Sequence, residues 1–187
     1  MSPASHDQPR KPPRPVTRAV LDRMALAYLE RYASSAENLR RVLARKVARR
    51  CRLREEDPEA ALALVEEAVA RAVASGLVDD AAYAEARVAS LRRRGGSRRA
   101  IAAKLAAKGV DAETVGAALA RDAQARIEDD PEADPEREAA RALAKRRRLG
   151  PFRAAGRAEN REKDIARLAR AGFPYGVARD VIDAEEA

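Results

Sequence analysis

The sequence is poor in aromatic residues: four tyrosines, two phenylalanines and no tryptophan among 187 residues. Apolar residues nevertheless make up 46% of the chain, and most of them are Ala, Leu and Val. That mixture favours helices packed closely through small side chains and gives little support to a β architecture. Cys51 is the single cysteine, which leaves no partner for an internal disulfide and no zinc-binding pair. The one histidine, His6, stands in a Pro-rich polar stretch. Nucleophilic and metal chemistry therefore lack their usual parts. No apolar run approaches the ~20 residues that span a bilayer, and the N-terminal stretch has no apolar core of a secretory signal. These absences predict a cytoplasmic protein with no membrane partner.

Acidic residues are also missing from particular places. The chain carries a formal net charge of +8 and a pI near 10.1, which attracts polyanions such as nucleic acid or an acidic protein groove. No acid interrupts the run from Arg40 to Arg54, nor the run from Arg92 to Lys108. The second run contains Arg92, Arg93, Arg94, Arg98, Arg99, Lys104 and Lys108, and the first opens with Arg40, Arg41 and Arg45. A third cluster lies around Lys145, Arg146 and Arg147. Arginine suits phosphates and carboxylates because its planar fork makes two parallel bonds. No aromatic residue stands among the cations between Arg92 and Lys108, so a base-stacking platform is not expected there. Contact with nucleic acid should be mainly to the backbone, hence salt-sensitive and weakly sequence-selective.

Taken in order, residues 1–17 hold five of the ten prolines with Arg10, Lys11 and Arg14, and read as a disordered basic arm. From Arg18 the pattern is helical, with Leu21, Met24, Tyr28 and Tyr32 on one stripe. Ser34 and Glu37 have capping-box spacing before a helix whose stripe is Leu39, Leu43 and Val47. Asp57-Pro58-Glu59 is a helix start, with Leu62, Val65, Val69 and Val73 expected inward. Gly76 fits the left-handed position after a helix end, Asp79 is an N-cap, and Ala84, Val88 and Leu91 form the next stripe. Gly95-Gly96 breaks that helix, Ser97 caps another carrying Ile101 and Leu105, and Gly109 ends it. A sixth helix starts at Asp111, with Val115 and Leu119 inward. Residues 128–134 read as an acidic linker, Asp134-Pro135-Glu136 as a further start, Asn160 as a cap and Gly172 as a stop.

Aligning Gly109 with Gly172 pairs Leu105 with Leu168, Val110 with Phe173 and Leu119 with Ile182. Leu39, Leu43 and Lys46 fall opposite Ile101, Leu105 and Lys108, although Val47 stands where glycine is expected. The chain thus reads as all-α, with a three-helix unit repeated at 18–75, 76–127 and 135–187, a period of roughly 50–60 residues. Such repeats stack into an elongated, curved array. No Gly-rich phosphate loop is present, and the Asp79-Asp80 pair is better explained by capping than by acid–base chemistry. The residues give no sign of an enzyme, a metal site or a cofactor, and no exposed apolar stripe demands self-association, so a monomer is expected.

The order Gly-Leu-x-Asp-Asp-x-x-Tyr-Ala over Gly76, Asp79, Asp80, Tyr83 and Ala84, a basic link, then Ile-x-x-x-Leu-x-x-Lys-Gly-Val ending at Gly109 and Val110 resembles the RecX family, regulators of the recombinase RecA. The resemblance covers the chain from about Arg18 and is strongest over Gly76–Val110. It implies tandem three-helix repeats that lodge in the groove of the RecA filament on single-stranded DNA and restrain strand exchange, ATP hydrolysis and co-protease activity, so regulating DNA repair. On this reading the basic residues meet RecA and its DNA, while Gly76, Asp79, Asp80, Tyr83 and Gly109 are structural. Two other readings stay open: a nucleic-acid-binding module that acts without RecA, and a helical adaptor for another acidic partner.

Overall fold

The structure is a computed structural model that describes residues 13–185; most of the basic arm expected over 1–17 lies outside them. Among the described residues there are nine α-helices, one 3₁₀ turn at Gly150–Phe152 and no strand. None of these helices is long and apolar enough to cross a membrane. The chain divides into two compact units, one through Val78 and one from Asp79 onward.

The first unit holds α1 (Arg18–Leu29), α2 (Ala36–Arg52) and α3 (Glu59–Ala74). Leu21, Leu39, Leu43, Val47, Cys51, Val65 and Val69 form its core. Two expectations need correction. The cap of α2 is Ser35, whose hydroxyl accepts from Asn38 N at 3.2 Å; Ser34 Oγ instead donates to Ser35 O and accepts from the Asn38 amide. Glu37 pairs forward with Arg40 and Arg41 rather than reaching back. On α3, Val65 and Val69 are buried, but Leu62 and Val73 are exposed, and Ala61, Ala68 and Ala72 fill the contact instead. Both α1 and α2 pack against α3. Tyr32 also lies exposed, beyond the end of α1.

The second unit holds α4 (Asp80–Arg93), α5 (Arg98–Ala107), α6 (Ala112–Asp129), α7 (Pro135–Arg147), α8 (Arg157–Arg170) and α9 (Tyr175–Asp183). Its helices start where short-range chemistry dictates: Asp79, Ser97, Asp111 and Asp134 each accept from a free N–H of the following turn. Asn160 does not start α8. That helix begins after Gly156, and the Asn160 amide donates to Gly156 O at 2.7 Å from inside the first turn. The segment 128–134 contributes Glu128 and Asp129 to the last turn of α6, and its final residue is the cap of α7.

Gly109 and Gly172 stop α5 and α8 in the same way. Both have positive φ, at 78° and 96°. Each is followed by a residue whose N–H reaches back across the helix end, Val110 to Leu105 O and Phe173 to Leu168 O. The same closure ends α2, with Glu56 N donating to Cys51 O, but the left-handed residue is Glu55 at φ 56°. Val47 therefore needs no glycine substitute: α2 runs straight through it and ends in the Arg49–Pro58 insertion.

Candidate functional site

In the first unit, the basic face of α2 is partly spent on its own neighbours. Arg40 pairs with Glu37 and, at 2.8 Å, with Glu66 of α3; Arg41 pairs with Glu37 at 2.8 Å. Hydrogen bonding to Glu66 and Glu37 pushes the Arg40 guanidinium up from its ordinary value, and the Arg40 bond likewise holds the Glu37 carboxyl down. Reading α2 as an acid-free run missed these partners because one sits before the run and the other on another helix. Arg45 is exposed and has no carboxylate partner among the described residues.

In the second unit, the expected surface cation Arg92 is corrected to an interior one. It is 5% exposed. Its Nη1 donates to Glu136 Oε2 at 2.6 Å and to Gly96 O at 3.2 Å, and its Nε lies 3.6 Å from Asp122 Oδ2. Asp122 also meets Arg126, which reaches Glu138. This chain of charges joins α4, α6 and α7. The Glu136 carboxylate further accepts from Arg98 N at 3.1 Å, so one acidic side chain on α7 holds both the end of α4 and the start of α5.

The break between α4 and α5 is more than an interruption. Gly95 has φ 73°, and a Cβ built there would lie 2.5 Å from Leu143 N. The backbone of α7 therefore presses directly on Gly95. Two residues on, Ser97 Oγ donates to Ala171 O at 2.7 Å while accepting from Ala100 N. With the break seated on α7 and on the end of α8, Arg93, Arg94, Arg98 and Arg99 project outward from it and are exposed. Among the described residues no carboxylate pairs with their side chains. Lys104 on α5 and Lys108 just past its end are exposed. A groove of about 930 Å³ is lined by Ala102, Ala106, Val115 and Leu119 together with Arg98 and Arg99.

The third cluster separates into two sets. Lys145 turns into a smaller cavity, about 500 Å³, with Arg141, Arg148, Pro151, Phe152 and Arg153. Arg146 and Arg147 are exposed and do not line it. Arg141 lies over the Phe152 ring at 5.3 Å, a contact that sequence order could not reveal because the ring comes from the turn after α7.

Of the motif residues, Asp79 caps α4, Tyr83 packs half-buried against the core of α4–α6, and Gly76 and Gly109 take left-handed backbone. Among the described residues no group of three or more His, Cys, Asp or Glu side chains is placed to hold a metal ion.

Comparison with known proteins points one way. Residues 79–119 match the family model described as RecX, second three-helix domain. The chain is 45% identical over 179 residues to the regulatory protein RecX of Myxococcus xanthus, covering 95% of this chain and 91% of that protein. It is 33% identical over 159 residues to the regulatory protein RecX of Agrobacterium fabrum, covering 84% and 79% respectively. The fold matches a crystal structure of regulatory protein RecX with a TM-score of 0.60 at 21% identity, over 89% of this chain and 72% of that one.

Proposed function

This chain belongs to the RecX family of regulatory proteins, and from that premise we propose that it regulates RecA by binding the RecA filament on single-stranded DNA and restraining its recombinase, ATPase and co-protease activities. It does so in the cytoplasm as a monomer, and without catalysing a reaction or using a cofactor. The observation that carries this reading is the uncompensated quartet Arg93, Arg94, Arg98 and Arg99, held outward by a break that is itself pinned to α7 and to the end of α8. A rigid base under four guanidinium groups lowers the ordering cost of meeting an anionic surface, and guanidinium forks fit carboxylates and phosphates alike.

The test is RecA's single-stranded-DNA-dependent ATP hydrolysis with this protein titrated in at near-physiological salt. Suppression well below one chain per RecA protomer supports direct control of the filament, because masking the DNA would need near-stoichiometric coverage. No effect, or an effect only at concentrations that coat the DNA, favours a second reading: a nucleic-acid binder that acts without RecA. The cavity lined by Arg141, Lys145 and Arg148 is the observation on its side.

A further inference from the structure

The cations of α7 are not a uniform solvated face. Arg141 and Lys145 of α7 and Arg148 just past its end line one cavity, whereas Arg146 and Arg147 do not. Three features show that the cavity is pre-ordered. Arg141 lies over the Phe152 ring at 5.3 Å. Arg153 is held by the fully buried Asp164 through two bonds, Nε to Oδ2 at 2.6 Å and Nη2 to Oδ1 at 3.0 Å. Asp164 also accepts from Gly150 N at 3.0 Å, so the turn that carries Phe152 is tied to the same carboxylate. Asp164 is committed to Arg153, Arg167 and Gly150, and among the described residues no carboxylate pairs with Arg141, Lys145 or Arg148.

The backbone supplies an independent sign. Arg148 sits at φ 53° and ψ 55°, the left-handed position just past α7. Gly109 and Gly172 fill the corresponding positions after α5 and α8, and glycine takes this conformation without the steric cost that a side chain incurs.

We infer that this cavity binds the phosphodiester backbone of single-stranded DNA directly. Two of its open cations, Arg141 and Lys145, lie about 6 Å apart along α7, and Arg148 continues the set past the helix end. The set is longer than one phosphate group and can meet more than one phosphate of a single strand. A linear polyanion therefore fits the set better than an isolated phosphate does. The inference deepens the nucleic-acid-binding reading and rests on it, and its test contains no RecA, so its failure is separate from any result of the ATPase titration.

The experiment is fluorescence anisotropy of a labelled oligothymidylate with the full chain, repeated over a salt series. Arg148→Gly removes one cation and relieves the left-handed backbone. Its melting temperature should equal or exceed that of the wild type, while affinity falls several-fold and the slope of log K against log salt drops by about 0.7, the value for one lost single-strand phosphate contact. Lys145→Ala/Arg148→Gly should lose about twice that slope. The matched pair Arg146→Ala/Arg147→Ala removes equal charge from the same helix and should lose less than half as much. Equal losses in the two pairs would make the cations a diffuse patch and overturn the site, as would unchanged binding by Arg148→Gly. Displacement of the oligonucleotide by inorganic tripolyphosphate or by poly-glutamate at lower charge concentration than unlabelled oligothymidylate would overturn the assignment to DNA.

Discussion

Arg92 of α4 and Glu136 of α7 form an ion pair at 2.6 Å whose arginine side chain is 4% exposed and whose glutamate side chain is 20% exposed. The pair crosses from the second three-helix group to the third and also orders the first turn of α5 through Arg98 N. The cation that opens a basic run thus serves the interior, and its neighbours Arg93 and Arg94 are left to face outward.

Truncating the acid should be costly. Glu136→Ala leaves Arg92 buried without its main partner, and breaking a buried pair from one side costs about 3–5 kcal/mol. Asp122 remains 3.6 Å from Arg92 Nε, which places the expected loss near the lower end, about 3 kcal/mol. Urea denaturation followed by circular dichroism checks this; a loss under about 1 kcal/mol would mean that the pair is solvated.

Gly95→Ala should destabilise the second unit by at least about 2 kcal/mol. The left-handed backbone alone costs a side-chain-bearing residue roughly 1–2 kcal/mol, and the new Cβ would meet Leu143 N at 2.5 Å. Gly76→Ala is the control: it has φ 71° with nothing within 4 Å of its Cβ position, so it should cost about 1 kcal/mol. Equal midpoints for the two variants would contradict the close approach of α7.

Asp164 makes stability depend on acid. Burial by itself would raise its pKa, but hydrogen bonds from Arg153 and Gly150 N, with the charges of Arg153 and Arg167, outweigh burial and hold it below the ordinary carboxylate value. A depressed folded pKa contributes stability that is complete above the unfolded value, about 3.9, and is lost as pH falls through the lower folded value. Asp164→Asn should lower stability at pH 7 by about 2–3 kcal/mol, the loss of a buried charge-assisted acceptor, and should flatten the stability profile below pH ~4. Glu37, Asp111 and Asp183 also have lowered values, so some acid sensitivity should remain. Denaturant midpoints measured from pH 7 down to pH ~3 test this; an unchanged slope in the variant contradicts it.

Charge reversal at Arg98 and Arg99 should raise the concentration needed to suppress RecA ATP hydrolysis at least tenfold, about 1.4 kcal/mol, with helicity and melting unchanged. Both side chains are exposed and unpaired with acids among the described residues, so the fold does not depend on them. Full inhibition by the folded variant would remove this surface from the regulatory reading.

Much of the fold was legible because its signals act within one helical turn. Asp79, Ser97, Asp111 and Asp134 cap the helices that follow them, and Gly109 and Gly172 stop theirs. Such bonds link residues two to five positions apart, so the chain alone determined an all-helical protein and most helix ends, whereas on α3 two of the four expected stripe residues, Leu62 and Val73, are exposed. The same locality failed where two residues competed for one role, as when Ser35 rather than Ser34 capped α2. Where each charge ends up was decided by the tertiary structure. Arg92 is buried because Glu136 arrives from 44 residues away, Arg40 is paired by Glu66 from α3, and Phe152 comes under Arg141 only when the turn after α7 folds back. A side chain's free energy in water or in the interior depends on partners that sequence spacing does not encode. The chain by itself therefore determined that the protein is helical and basic, and only the packing of its helices decided which cations are left open to a partner.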